Sequence, residues 1–232
     1  MRKLGLIGGM SWAATEQYYH QINRGVQKRI GNGCSAPLLI ESLNSCDLSR
    51  LSGEEEWARA AEVLTASAQR LEAAGATAIM ISANSMYRVA DAVQAAIGVP
   101  LINIIDKTGA KLRADGIKSV AIIGTRNVMA ERWYRQRLVS TGVTLAPFDA
   151  DRVEAIDNII YDELMQGKVS EASRRVKKTY ITDIANQEVE AIVLACTELT
   201  MIVDPDANVL PIYDTTRIHT AAGVEWILDE AR

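Results

Sequence analysis

The sequence predicts an α/β protein made of two similar halves, each a short parallel sheet flanked by helices. Three observations lead there. Short, continuous apolar runs such as Ile192-Val193-Leu194-Ala195 are separated by segments with helical spacing, the pattern of strands buried on both faces of a parallel sheet. Strand and helix alternate along the whole chain, which calls for right-handed crossovers. The same motifs also recur in the same order about halfway along.

The elements follow in order. Lys3 to Ile7 reads as the first strand, ending in Gly8-Gly9-Met10-Ser11. Ser11 is placed to cap a helix whose Trp12, Tyr19, Ile22 and Val26 share a face, and Gly31-Asn32-Gly33 closes that unit. Leu38 to Leu43 forms the second run. The polar segment Asn44 to Glu56 is long for an α/β loop, and loops of that kind tend to contact ligands. Trp57 to Ala74 is an alanine-rich helix and Ala76 to Ile81 a third strand. Ser82 to Tyr87 leads into a helix ending near Ile97-Gly98, and Leu101 to Ile105 is expected as a fourth strand. In the second half, strands are expected at Ser119–Ile123, Ala191–Ala195 and Val209–Tyr213. Helices are expected over 127–140, 151–166, 169–187 and from Thr216 to Glu230.

Composition narrows the function. The 232 residues carry 48% hydrophobic and 23% charged side chains, ordinary for a soluble protein with a real core. A net charge of -4 argues against nucleic acid or an anionic membrane as the main partner, while a small anion needs only local donors. Three cysteines without framework spacing point to a reducing compartment, and no apolar run is long enough to span a membrane. The charged start followed by a short apolar run broken by glycines is expected to be a strand rather than a signal peptide, which favours the cytoplasm.

The recurrence has chemical content. Gly5-Leu6-Ile7-Gly8-Gly9 matches Ala121-Ile122-Ile123-Gly124-Thr125, and Ile79 to Ser85 matches Ile192 to Glu198. Pro100-Leu101-Ile102 echoes Pro211-Ile212-Tyr213, and the offsets drift from about 116 through 113 to 111 residues. A duplicated α/β unit would set equivalent strand ends on opposite sides of one cleft. In this alignment Cys196 stands opposite Ala83, Thr197 opposite Asn84 and Glu198 opposite Ser85. Strand ends in open sheets are where ligands bind, and a thiol at a helix start has its thiolate favoured by backbone N–H groups. A buried free cysteine can equally be a small hydrophobe. One acid–base group on each face of a cleft is what two-base racemisation requires. The Gly5–Gly9 loop lacks the third glycine and the acidic partner of a dinucleotide site. Cys34 and Cys46 have no partners at metal-ligand spacing. His20 reads as a surface side chain, and His219 as either a helix-cap residue or a neighbour of the site.

Several stretches resemble the cofactor-independent aspartate/glutamate racemases, in particular the bacterial amino-acid racemase subgroup. They are Ile7-Gly8-Gly9-Met10-Ser11-Trp12, Tyr18 to Asn23, Ser35-Ala36, Asn84-Ser85-Met86 with Val89-Ala90-Asp91, Gly124-Thr125-Arg126, Cys196-Thr197-Glu198, and Asp214-Thr215-Thr216 with Ile218-His219. The resemblance covers essentially the full length. It implies two pseudo-symmetric domains, 1–100 plus 213–232 and 101–212, with the active-site cleft between them. It further implies no pyridoxal phosphate, no metal and a homodimer acting on a small amino acid or carboxylic acid. By the same resemblance Cys196 is the principal acid–base. Asn84, Ser85 and Thr197 hold the α-carboxylate, and Met10, Thr125 and Glu198 complete substrate binding. Arg50 and Lys168 lie in the regions that read a side-chain carboxylate.

One departure stands out. The family places a cysteine, or in some members a threonine, directly before its Asn-Thr pair, and here that residue is Ala83, which cannot carry a proton. The family's Met-His after the pair is Met86-Tyr87. Three explanations remain open. Ser82 or Ser85 serves as a weak second acid, the chemistry uses one base as in the related arylmalonate decarboxylases, or Ala83 was introduced deliberately.

Overall fold

The computed structural model of the chain describes residues 1–229. In chain order the first elements are β1 (Leu4–Gly8), α1 (Trp12–Ile30), β2 (Leu38–Ser42), α2 (Glu54–Ala73), β3 (Ala78–Ile81), α3 (Ala90–Ala95) and α4 (Ile104–Ala114). There follow β4 (Ser119–Gly124), α5 (Arg126–Met129), α6 (Arg132–Ser140), β5 (Thr144–Leu145), α7 (Ala150–Asp162) and α8 (Glu171–Ala185). The last are β6 (Ala191–Ala195), β7 (Ile212–Asp214) and α9 (Thr215–Leu228). The expected end of the last helix at Glu230 lies outside the described residues. Among the described residues, no helix is long and apolar enough to cross a membrane.

The chain forms two compact units, Met1–Asn103 joined by the residues from His219 onward, and Ile104–Ile218. Each holds one all-parallel sheet, in the order β2-β1-β3 in the first and β5-β4-β6-β7 in the second. The expected α/β architecture is therefore present. The first strand of each unit sits between the second and the third, as duplication predicts. The correspondence extends further. Ile79 donates its N–H to the Pro100 carbonyl and bridges to Leu101, just as Ile192 donates to Pro211 and pairs with Ile212.

Two expectations are corrected here. The fourth strand over Leu101–Ile105 shrinks to that single bridge, and α4 begins at Ile104. Ile104, Thr108 and Leu112 are buried at i, i+4 and i+8, with Asp106 in the first turn and Lys111 and Arg113 in the last. A short run with four apolar residues in five cannot by itself tell strand from buried helix. The chain's return to the first domain, expected at 213, comes later: Ile212–Asp214 pairs with β6 in the second sheet, and of the residues after Ile104 those from His219 onward belong to the first unit.

The cores explain the helices. Strands β1, β3 and β6 are buried along their whole length, whereas β2 is partly exposed at its sheet edge. The face α1 buries is Ala14, Tyr18, Ile22 and Val26, one residue every turn, packed with Leu4, Leu6, Met80 and Val224. Trp12 and Tyr19, expected on that face, are 70% and 51% exposed. The true stripe advances by fours, and an aromatic at position 19 falls beside it rather than on it. Gly25 packs so closely on Val224 that a Cβ would sit 2.6 Å from a valine methyl, which lets α9 approach α1.

Candidate functional site

The candidate residues gather at the C-terminal ends of the strands, within each unit. In the first unit, β1 runs into Gly8-Gly9-Met10. Gly9 has φ +86°, and any side chain there would collide with the Leu43 backbone, so only glycine permits this close turn. Its N–H is received by Thr15 Oγ1 at 2.8 Å, and Ser11 caps α1 through the Ala14 N–H. Met10 is buried at this strand end. At the end of the neighbouring β3 come Ser82, Ala83, Asn84 and Ser85. Ser82 is buried and donates its hydroxyl to the Ile7 carbonyl at 3.2 Å, tying β3 back to β1. Asn84 is buried, while Ala83 and Ser85 are half-buried.

A polar knot lies behind this loop, and it is where His219 belongs. The imidazole is fully buried, neither a helix cap nor a surface group. Its Nε2 lies 2.8 Å from the Ile102 carbonyl, which can only accept, so Nε2 carries the hydrogen. Nδ1 then accepts from Tyr18 Oη at 2.8 Å. Tyr87 Oη donates to the same Ile102 carbonyl at 2.9 Å and accepts the Ile81 N–H at 3.1 Å. Tyr87 stands two residues beyond Ser85, so the knot pins the loop that carries Asn84 and Ser85. His219 is edge-on to both Tyr18 and Tyr87. The signal of this role in the sequence is slight: a histidine in a helix that also carries Thr215, Thr216, Arg217, Thr220 and Glu225.

In the second unit, β4 and β6 are adjacent, with Gly124 opposite Ala195. A Cβ on Gly124 would sit 2.9 Å from the Ala195 carbonyl oxygen, so glycine allows the two strands to lie close at this end. Thr125 and Cys196 leave the sheet next, side by side. Cys196 is 7% exposed and caps a 3-10 turn over Thr197–Met201. Its Sγ donates to Glu198 Oε2 at 3.1 Å. Burial pushes the thiol pKa up, the Glu198 charge and this hydrogen bond push it further, and the backbone N–H groups of Glu198 and Leu199 oppose them without prevailing. The resting sulfur is a protonated thiol. Helix-start donors alone would have favoured the thiolate; burial, reinforced by the carboxylate two residues along, reverses the expectation from position.

Thr197 is buried, and its Oγ1 lies 2.9 Å from Thr216 Oγ1 at the start of α9. Thr215 Oγ1 donates to the Leu194 carbonyl at 3.0 Å, and Asp214 caps α9 through the N–H groups of Thr216 and Arg217. Burial pushes the Asp214 carboxyl pKa up, against those two backbone bonds. The Asp214-Thr215-Thr216 motif therefore braces the Cys196-Thr197-Glu198 turn from the neighbouring strand.

The remaining candidates are not at the strand ends of the sheets. Arg50 is exposed in the loop before α2 with φ 52°, unusual for a side-chain-bearing residue. Lys168 is exposed, and its Nζ donates to Gln166 Oε1 at 2.9 Å. Cys34 is partly buried against the first core and Cys46 is exposed. Among the described residues no group of three or more His, Cys, Asp or Glu is arranged to hold a metal ion.

Residues 7–223 match the model of the Asp/Glu/Hydantoin racemase family. The chain belongs to this family. A crystal structure from Yersinia pestis, assigned provisionally as an Asp/Glu racemase, is 37% identical with TM-score 0.91, covering 99% of this chain and 100% of the other. An aspartate racemase homologue from Pyrococcus horikoshii is 26% identical with TM-score 0.82, covering 98% and 99%. The broad specificity amino-acid racemase RacX of Bacillus subtilis is 22% identical over 219 residues, 92% of each chain. The resemblance expected from the motifs is thus established, together with the two-domain α/β fold.

Proposed function

We propose that this racemase-family chain moves a proton at the α-carbon of an acidic amino acid, of aspartate or glutamate type, with Cys196 as the principal acid–base. The observation that carries the reading is a buried thiol at a strand end, bonded to a carboxylate through a 3.1 Å S–H···O contact. As an acid, Cys196 returns its proton to the α-carbanion. As a base, it first passes that proton to Glu198, and the thiolate then takes the α-hydrogen, with the N–H groups of Glu198 and Leu199 stabilising the sulfur anion. Asn84, Ser85 and Thr197 hold the α-carboxylate and stabilise the enediolate-like charge. Met10 contributes to substrate binding, and Arg50 and Lys168 receive a side-chain carboxylate. No cofactor is needed for this chemistry, and a cytoplasmic homodimer completes the proposal.

The second reading, one-base chemistry or an impaired carboxylate-binding scaffold, is favoured by one feature. Ala83 has no ionisable group to transfer a proton, and the hydroxyl of the preceding residue, Ser82, is held by the Ile7 carbonyl. Such a site exchanges one face of the α-carbon faster than the other. The test incubates each enantiomer of aspartate and glutamate with the protein in deuterium oxide and follows α-deuteration and inversion by NMR and chiral chromatography. Exchange with inversion, abolished by Cys196→Ser, is expected. Exchange without inversion transfers support to the one-base reading. No exchange for any of the four removes the proposal. Carbon dioxide release from a disubstituted malonate would mark a decarboxylase.

A further inference from the structure

Two buried polar atoms beside Cys196 have no hydrogen-bond partner among the described residues: Glu198 Oε1 and Thr125 Oγ1. Both side chains belong to residues only 5% exposed. Buried polar atoms are nearly always paired, and each left unpaired costs stability, so two together at one strand end need a reason. Both follow the C-terminal ends of two paired strands. Gly124 and Ala195 are register partners, parallel strands lie about 4.8 Å apart, and Thr125 follows one while Cys196-Thr197-Glu198 follow the other.

The chemistry of the two atoms defines what would satisfy them. Glu198 already uses Oε2 to receive the Cys196 thiol, which leaves Oε1 as a pure acceptor when ionised. Thr125 Oγ1 can accept as well. The buried carboxylate has no cation against it within the Cys196 turn, and a buried charge is stable only when paired. The complementary group is small, positively charged and carries several donors.

Resting on the racemase reading above, we propose that Glu198 Oε1 and Thr125 Oγ1 form a subsite for the protonated α-amino group of the substrate. The placement fits the reaction, because the amino nitrogen is one bond from the carbon whose hydrogen Cys196 handles. It also has a consequence for reactivity. The ammonium offsets the carboxylate charge that helps keep Cys196 protonated, so the thiol acidifies when an α-amino acid is bound. An α-hydroxy acid of the same shape offers one donor and no charge, and leaves both the pairing and the acidification undone.

Isothermal titration of the whole chain with aspartate, malate, glutamate and 2-hydroxyglutarate, each as both enantiomers, tests this. At least one amino acid is expected to bind tenfold or more tightly than its hydroxy counterpart. Glu198→Gln is expected to erase that ratio, and Thr125→Val to reduce it several-fold, with melting curves confirming that each variant folds. If Glu198→Gln does not fold, the wild-type ratio and Thr125→Val decide. Equal affinity for amino and hydroxy acids, no binding of any probe, or a ratio untouched in the folded variants overturns the subsite. An intact amino preference without α-proton exchange would instead sink the racemase reading and leave the subsite standing.

Discussion

Replacing Glu198 by glutamine separates the carboxylate's share in keeping Cys196 protonated from that of burial. The substitution keeps the shape and one acceptor for the thiol while removing the negative charge 3.1 Å from Sγ. With an effective dielectric of ~20 and the charge centred about 4 Å away, the repulsion between carboxylate and thiolate is about 4 kcal/mol before relaxation of the turn and the retained amide dipole reduce it. The thiol pKa is therefore expected to fall, and the thiolate fraction at pH 8 to rise about tenfold or more. The assay is the rate of iodoacetamide labelling at Cys196 as a function of pH, read peptide by peptide so that Cys34 and Cys46 do not interfere. The midpoint of the pH profile reports ionisation, whereas its plateau reports access, so a merely loosened turn changes the second and not the first. A midpoint that stays put or rises in Glu198→Gln refutes the claim that the carboxylate holds the thiol protonated.

Three further outcomes follow from the same structure. The folded thiol is held above its ordinary pKa, so above about pH 9 the unfolded chain loses this proton first and stability falls with rising pH by up to about 1.4 kcal/mol per unit. Below the unfolded-state pKa the contribution is fully present, and Cys196→Ala should flatten the wild-type decline in melting temperature between about pH 9 and pH 10. Gly9→Ala places a methyl on the Leu43 backbone at φ +86°, and a loss of about 2–4 kcal/mol, or failure to fold, is expected by urea denaturation. Stability equal to wild type would contradict the close turn. Tyr18→Phe leaves the buried His219 Nδ1 without its 2.8 Å donor and should cost about 1–3 kcal/mol in the same assay, while a neutral result would show the knot is dispensable.

The sequence by itself determined a good deal. Strands buried on both faces announce themselves as uninterrupted apolar runs, and β1, β3, β4 and β6 were all legible in that way, as was the repeat that aligns Ala83 with Cys196. The Cys-Thr-Glu turn was recognisable because its three residues are consecutive. Short-range periodicity was weaker evidence where an apolar run was brief. Leu101–Ile105 reads equally well as strand or helix, and the two-residue β5 carries no pattern at all. Trp12 and Tyr19 suggest a buried stripe because they are aromatic, yet both stay exposed, and the buried stripe of α1 runs through Ala14, Tyr18, Ile22 and Val26 instead.

Other features were decided only by tertiary structure, because they depend on partners far apart in the chain. Tyr18 and His219 are separated by 201 positions, and nothing local in either residue indicates that they share a hydrogen bond. The assignment of β7 to the second sheet follows from pairing with β6, which a three-residue strand cannot declare in advance. The state of Cys196 is the sharpest case. Its place at a strand end and turn start follows from sequence and favours a thiolate, yet the folded backbone bends Glu198 against the sulfur and excludes water, and that enclosure makes the resting group a thiol. Sequence fixes which groups are available; the distance between them and the solvent they exclude set their charge.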